Sequence, residues 1–213
     1  MKTRPEIIAA YIEHLLEHGR PPLTVHRFCR ENDIEERAFF SEFASFNALE
    51  SAFWEELLTR VIAALESGAE WESFSARQRL LSFHFAFAEE SLNYRSLLLS
   101  RVAPLKTLAR PDYLRGLQSR FKTFARRLIE HGLAGREIAG RGMVGSLYPE
   151  AFYVHFRSVI EFHLKDESAR FERTDAFIEK SVGLLFDLLR PQALDSAVDL
   201  ARFLFAQRHG KAA

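Results

Sequence analysis

The chain has 213 residues, 47% of them hydrophobic, enough to enclose a sizeable core. Its 29 Lys and Arg balance 29 Asp and Glu, so no overall charge draws it toward nucleic acid or anionic lipid, and any electrostatic argument must be regional. The single cysteine, Cys29, excludes an intramolecular disulfide framework, and no apolar run approaches the roughly 18 residues that span a bilayer, so a soluble cytoplasmic protein is expected.

Apolar residues recur at helical spacing almost throughout and β-branched alternation is absent, which predicts an all-α fold of about nine or ten helices. Pro5 suits a first helical turn, and the helix it opens stops before Gly19 and the Pro21-Pro22 pair. Thr24 caps a short second helix to about Glu31, a third covers roughly 35–42, and Ser45 caps a long fourth striped with Leu49, Phe53, Leu57, Val61 and Leu65. Residues 67–75 break the pattern and divide a unit of residues 1–66 from a larger one of 67–213. Helices are predicted over about 76–91 and 95–103, the latter ended by Pro104, and from Pro111 to about His131. A glycine-rich connection over 135–146 precedes helices near 147–165, 175–190 and 192–208.

The N-terminal pattern is the most specific. Ile8 and Ala10, Gly19, Thr24-Val25, Phe28-Cys29, Ile34, Phe39-Phe40, Phe43, Ser45 and Leu49 follow the spacing of a helix-turn-helix unit, and residues 4–66 resemble the DNA-binding domain of the TetR family of bacterial repressors. The resemblance implies a three-helix headpiece joined to a helical ligand-binding and dimerisation body. It also implies a transcriptional regulator that binds operator DNA as a dimer and responds to an apolar small molecule. The second helix of such a pair enters the major groove while flanking groups grip phosphate. Arg37, Ala38 and Ser41 are the candidates for base edges, with Thr24 and Arg27 nearer the backbone; Phe40 stands where the family usually has a phosphate-contacting tyrosine. Phe28, Phe39, Phe43 and Cys29 are read as headpiece core.

The chain departs from the family pattern at Asp33, where glycine is usual, and at Phe46, where lysine is usual. Residues 1–58 hold six basic and eleven acidic side chains, among them Glu35, Glu36 and Glu42 near the expected DNA-facing helix. An acidic side chain about 4 Å from a phosphate costs roughly 1 kcal/mol in water. Carboxylates that read cytosine amino groups, or that face inward, would offset this.

In the body, Phe83, His84, Phe87, Phe121, Phe124, Phe152, His155 and Phe156 are the candidate ligand pocket; residue type alone favours core, and the resemblance raises the ligand reading. Phe177, Leu184, Leu185, Leu188, Val198, Ala201 and Phe205 are the candidate dimer interface. The last helix, with Arg202, Arg208 and Lys211 nearby, could instead lie on a membrane surface. Residues 95–141 carry eleven basic and three acidic side chains, either a solvated face or an attraction for an acidic partner or lipid headgroup.

Gly140 to Gly145 fits a GxGxxG spacing without a preceding strand and is read as a connection. His14 and His18 have the spacing of a metal pair but no third ligand, and His163 joins His84 and His155 as a pocket hydrogen-bonder or core residue. No nucleophile and base arrangement emerges, so no catalytic residue, metal or cofactor is expected. The alternative to a DNA-binding regulator is a carrier of lipid or another hydrophobic ligand built on the same fold, or an adaptor that uses the acidic headpiece.

Overall fold

Glu6 reaches back to the Thr3 amide at 2.7 Å to open α1 (Arg4–His18), and Gly19, at φ 67°, closes it. In the computed structural model, which describes residues 2–102, 105, 111–140 and 145–190, Thr24 Oγ1 accepts from the Arg27 amide to start α2 (Val25–Glu31). Glu35 precedes α3 (Glu36–Glu42), and Ser45 Oγ accepts from the Ala48 amide at the head of α4 (Phe46–Glu66). Each start falls within a residue of its sequence signal. Asp33, at φ 52°, holds the left-handed turn between α2 and α3 that glycine usually provides; aspartate is one of the few side chains that tolerate it.

Phe28, Phe39 and Phe43 are buried in the α1–α3 cluster, as is Cys29. Phe46 is half-buried among them, stacked on Tyr11 at 5.3 Å and edge-on to Phe28 and Phe39 at 5.5 and 5.6 Å.

After a 3-10 turn at Trp71–Ser73 come α5 (Ala76–Ser91), α6 (Arg95–Arg101), α7 (Arg115–Ala134), α8 (Tyr148–Lys165) and α9 (Glu172–Leu189). The fold is all-α. Ser75 caps α5 from its own side chain, and Glu137 adds a tertiary cap, its carboxylate accepting from the Ala76 and Arg77 amides at 2.8 and 3.2 Å. The predicted helix over 192–208, with Val198, Ala201, Phe205 and its basic residues, lies outside the described residues, as do Pro104 and Arg141–Val144.

α4 is the shared axis, packed on α1, α5 and α7. Gly116 of α7 permits its closest crossing: the Gly116 amide donates to Ser51 Oγ at 2.8 Å, and a Cβ at Gly116 would lie 1.9 Å from the Ser51 carbonyl oxygen. Nearby, the fully buried Glu50 accepts from Arg101 Nε and a terminal guanidinium nitrogen, both at 2.8 Å, and from Tyr11 Oη at 3.2 Å. Arg101 also lies 3.9 Å from the Tyr113 ring centroid, while Tyr113 Oη donates to the Arg101 carbonyl at 3.1 Å. Burial pushes the Tyr11 phenol well above its ordinary value, and the Glu50 charge adds to this. The apolar core is one continuous cluster from Ile7 to Leu189.

The turn between α8 and α9 contains two left-handed non-glycine residues, Arg170 at φ 53° and Phe171 at φ 59°. Asp166 holds it, accepting from the Ser168 amide and from the Thr174 amide and hydroxyl at 2.7–2.8 Å. Arg95 at the start of α6 donates to the carbonyls of His163 and Leu164 at 3.0 and 3.1 Å and lies over the Phe171 ring.

Candidate nucleic-acid and ligand surfaces

The α2–α3 pair brings Thr24, Arg27, Arg37, Phe40 and Ser41 to the exterior, with Phe40 52% exposed. Ala38 does not join them. It is 5% exposed and packs inward beside Phe39, so it offers nothing to a base edge, which corrects the sequence expectation. Ser41 Oγ donates to the Ala38 carbonyl at 2.8 Å. The neighbouring charges are largely paired: Arg27 with Glu31 at 2.7 Å, His26 with Glu36 at 3.0 Å, and Arg4 with Glu42 and Glu56 at 3.4 and 3.2 Å. Such exposed pairs contribute about 0–1 kcal/mol each, so a phosphate can compete for Arg4 and Arg27. Among the described residues Arg37 on α3 has no carboxylate partner.

The expected pocket residues largely converge on the space between α5, α7 and α8. Phe83, Phe87, Phe121, Phe124 and Phe156 are at most 2% exposed, and their ring centroids lie 4.4–6.2 Å apart. Phe152 faces Phe186 of α9 at 6.1 Å instead. Of the described cavities, one borders this centre and the others lie away from it. One of about 250 Å³ borders Phe124 with Trp71 and Arg79, and one of about 390 Å³ lies between α8 and α9 over the stacked Phe162 and Phe177. The phenylalanines thus pack as core, with two imidazoles set among them.

His84 is fully buried and neither ring nitrogen has a hydrogen-bond partner. His155, 5.0 Å away between ring centroids, has Nε2 3.0 Å from Ser181 Oγ and an unpartnered Nδ1. His163 is 3% exposed, also with both nitrogens unpartnered. Burial pushes His84 well below the ordinary imidazole value, helped by the His155 charge, and pushes His155 and His163 down to about 4. The unfolded chain therefore takes up protons first as pH falls. Stability should be full above about pH 6.5 and decline steadily toward pH 4, on the order of 1–3 kcal/mol for each such group. Thermal unfolding at pH 7.5 and 5.0 checks this; equal midpoints would contradict the neutral, buried state of these rings.

Among the described residues, several cations of the basic segment have internal partners. Arg101 pairs with Glu50, Arg127 with Glu66, Arg115 with Asp112 and Lys122 with Glu150, while Arg95 bonds carbonyls. α4 and α8 supply three of these four carboxylates, which offset part of the segment's positive excess.

On α9, Phe177, Ser181, Leu184 and Leu188 follow a 4-3-4 spacing along one face, with Leu184 and Leu188 61% and 54% exposed. Phe177 and Leu185 are half-buried. Sequence reading missed two α8-side residues, Leu147 and Val154, 63% and 47% exposed; their seven-residue spacing was the available signal. Among the described residues no helix is long and apolar enough to cross a membrane, and no cluster of three or more His, Cys, Asp or Glu is placed to hold a metal.

Residues 79–204, more than half of the chain, match the family of tetracycline repressor-like C-terminal domains. The chain belongs to the TetR family. Solved structures of the same fold include a TetR-family regulatory protein from Rhodococcus RHA1, at 19% identity and TM-score 0.53 over 89% of this chain and 98% of that one. A protein assigned as a TetR-family transcription regulator from Shewanella sp. PV-4 matches at 14% identity and TM-score 0.57, over 87% and 96% of the two chains. A Rhodococcus sp. RHA1 protein of unknown function matches at 21% identity and TM-score 0.54, over 85% and 94%. No protein of curated function matches the sequence.

Proposed function

We propose that this TetR-family protein is a cytoplasmic, non-enzymatic transcriptional regulator. In this reading residues 1–66 bind operator DNA through α3, and residues 67–213 form a homodimer and respond to an apolar small molecule. The observation that carries the DNA reading is the exposed α3 face, on which Arg37, with Phe40 and Ser41 three and four residues on, has no carboxylate partner among the described residues. The exposed Leu184 and Leu188 of α9, with the half-buried Phe177 and Leu185, support dimerisation through this helix.

Selection of genomic fragments by the purified dimer should enrich a palindrome whose half-sites lie about one helical turn, roughly 34–36 Å, apart. Arg37→Ala should weaken binding to it by about 1–3 kcal/mol. A folded dimer that enriches no sequence would sink the DNA reading. Leu184→Glu with Leu188→Glu should yield monomers by analytical ultracentrifugation, and an unchanged dimer would place the interface elsewhere.

The internally paired cations of the α2–α3 surface and its unpaired Glu35 favour one second reading, a carrier of lipid or another hydrophobic ligand that no longer binds DNA. Organic extraction of the purified protein tests it, and an extract without lipid would remove it.

A further inference from the structure

We infer that the aromatic centre recognises an uncharged aromatic compound bearing a hydroxyl group, held by His84 together with His155. This rests on the proposed response to an apolar ligand and names the chemistry of that ligand. His84 lies among Phe83 and Phe156, with ring centroids at 5.5 and 5.9 Å, and is sealed from solvent with both ring nitrogens unpartnered. A neutral imidazole carries one N–H donor and one bare acceptor nitrogen. Leaving such a group buried without a partner costs about 1–3 kcal/mol. A phenylalanine would fill the same space without that cost, and Phe83, Phe85 and Phe87 already stand beside it.

His155 faces His84 from α8 with its Nδ1 also unpartnered, while its Nε2 is engaged by Ser181 of α9. With ring centroids 5.0 Å apart, the two imidazoles together offer both hydrogen-bonding senses within an otherwise apolar surround. A hydroxyl both donates and accepts, so one such group can receive the N–H of one ring and give its proton to the bare nitrogen of the other. A carboxylate fits poorly, because burial keeps both imidazoles neutral and neither supplies the balancing charge. The body of the ligand should be an aromatic ring, since Phe83 and Phe87 already stack and each meets Phe156 edge-on. His155 is only half-buried, whereas the surrounding phenylalanines are sealed, so entry is from the side where α8 meets α9. The ligand takes its place by displacing rings from the packed centre.

Phenol and toluene share a shape and differ in hydroxyl against methyl, and phenol is uncharged at pH 7.5. Their binding to the full chain, measured by ligand-observed NMR and by thermal shift, should favour phenol about tenfold. In His84→Phe the preference should vanish while toluene still binds. His155→Phe, at a half-buried position that better tolerates exchange, should reduce it. Equal binding of both compounds by the unaltered chain would overturn hydroxyl recognition and leave the apolar-ligand reading standing. Binding of neither at millimolar concentration would overturn both. A phenol preference that survives both substitutions would remove the histidines from the site.

Discussion

Glu50→Ala should lower the unfolding free energy by about 3–5 kcal/mol, because it strands the Arg101 guanidinium in the joint between α1, α4 and α6. In the intact chain the carboxylate accepts two hydrogen bonds from Arg101 at 2.8 Å and further ones from Tyr11 Oη at 3.2 Å and Trp54 Nε1 at 3.4 Å. Removing the acceptor leaves four donors to find new partners where Glu50 has no solvent exposure and the Arg101 side chain only 12%. The paired exchange Glu50→Met with Arg101→Leu should restore most of the loss, since apolar groups of similar size leave no charge buried. Urea denaturation of the three variants decides the matter. A single substitution costing under about 1 kcal/mol would mean that water reaches Arg101 and that the joint is looser than its geometry implies.

The second large effect is expected from a single methyl group. Gly116→Ala places a Cβ 1.9 Å from the Ser51 carbonyl oxygen and 2.8 Å from its carbon, both backbone atoms that no rotamer can move aside. α4 and α7 must separate, which should cost about 2–3 kcal/mol, including the hydrogen bond from the Gly116 amide to Ser51 Oγ. Gly140→Ala is the internal comparison, because its nearest neighbour would be a leucine methyl at the ordinary distance of 3.8 Å. Thermal midpoints that fall equally in the two variants would refute the close crossing of α4 and α7.

The difference between these joints and the helix ends explains what was legible in the sequence. Gly19, Thr24 and Ser45 act on amides and carbonyls a few residues away, so each announced its helix boundary locally. α9 begins at Glu172, before the predicted residue 175, because Asp166 and the left-handed pair Arg170 and Phe171 set the turn, and neither carries a glycine or proline signal. Glu50 and Arg101 lie 51 residues apart, and nothing in either neighbourhood announces the other. Ala38 shows the limit for a seven-residue helix: two turns scarcely fix the rotational phase, and the small side chain that seemed free for DNA lies on the core side. The phenylalanines were legible as a buried cluster, but the bare nitrogens of His84 emerge only once every neighbour has been placed.

Phe46 occupies a position where TetR headpieces usually carry lysine, and here its ring closes on Tyr11, Phe28 and Phe39. One side chain cannot be both mortar for three helices and a hand on the sugar-phosphate backbone. A lysine introduced there would gain a cation and open a gap beneath it, so cohesion and grip are set against each other at this position. Any hold this chain has on DNA would then rest on the outer side of α3, where Arg37 stands clear of carboxylates, and on the exposed Thr24 and Arg27 at the head of α2.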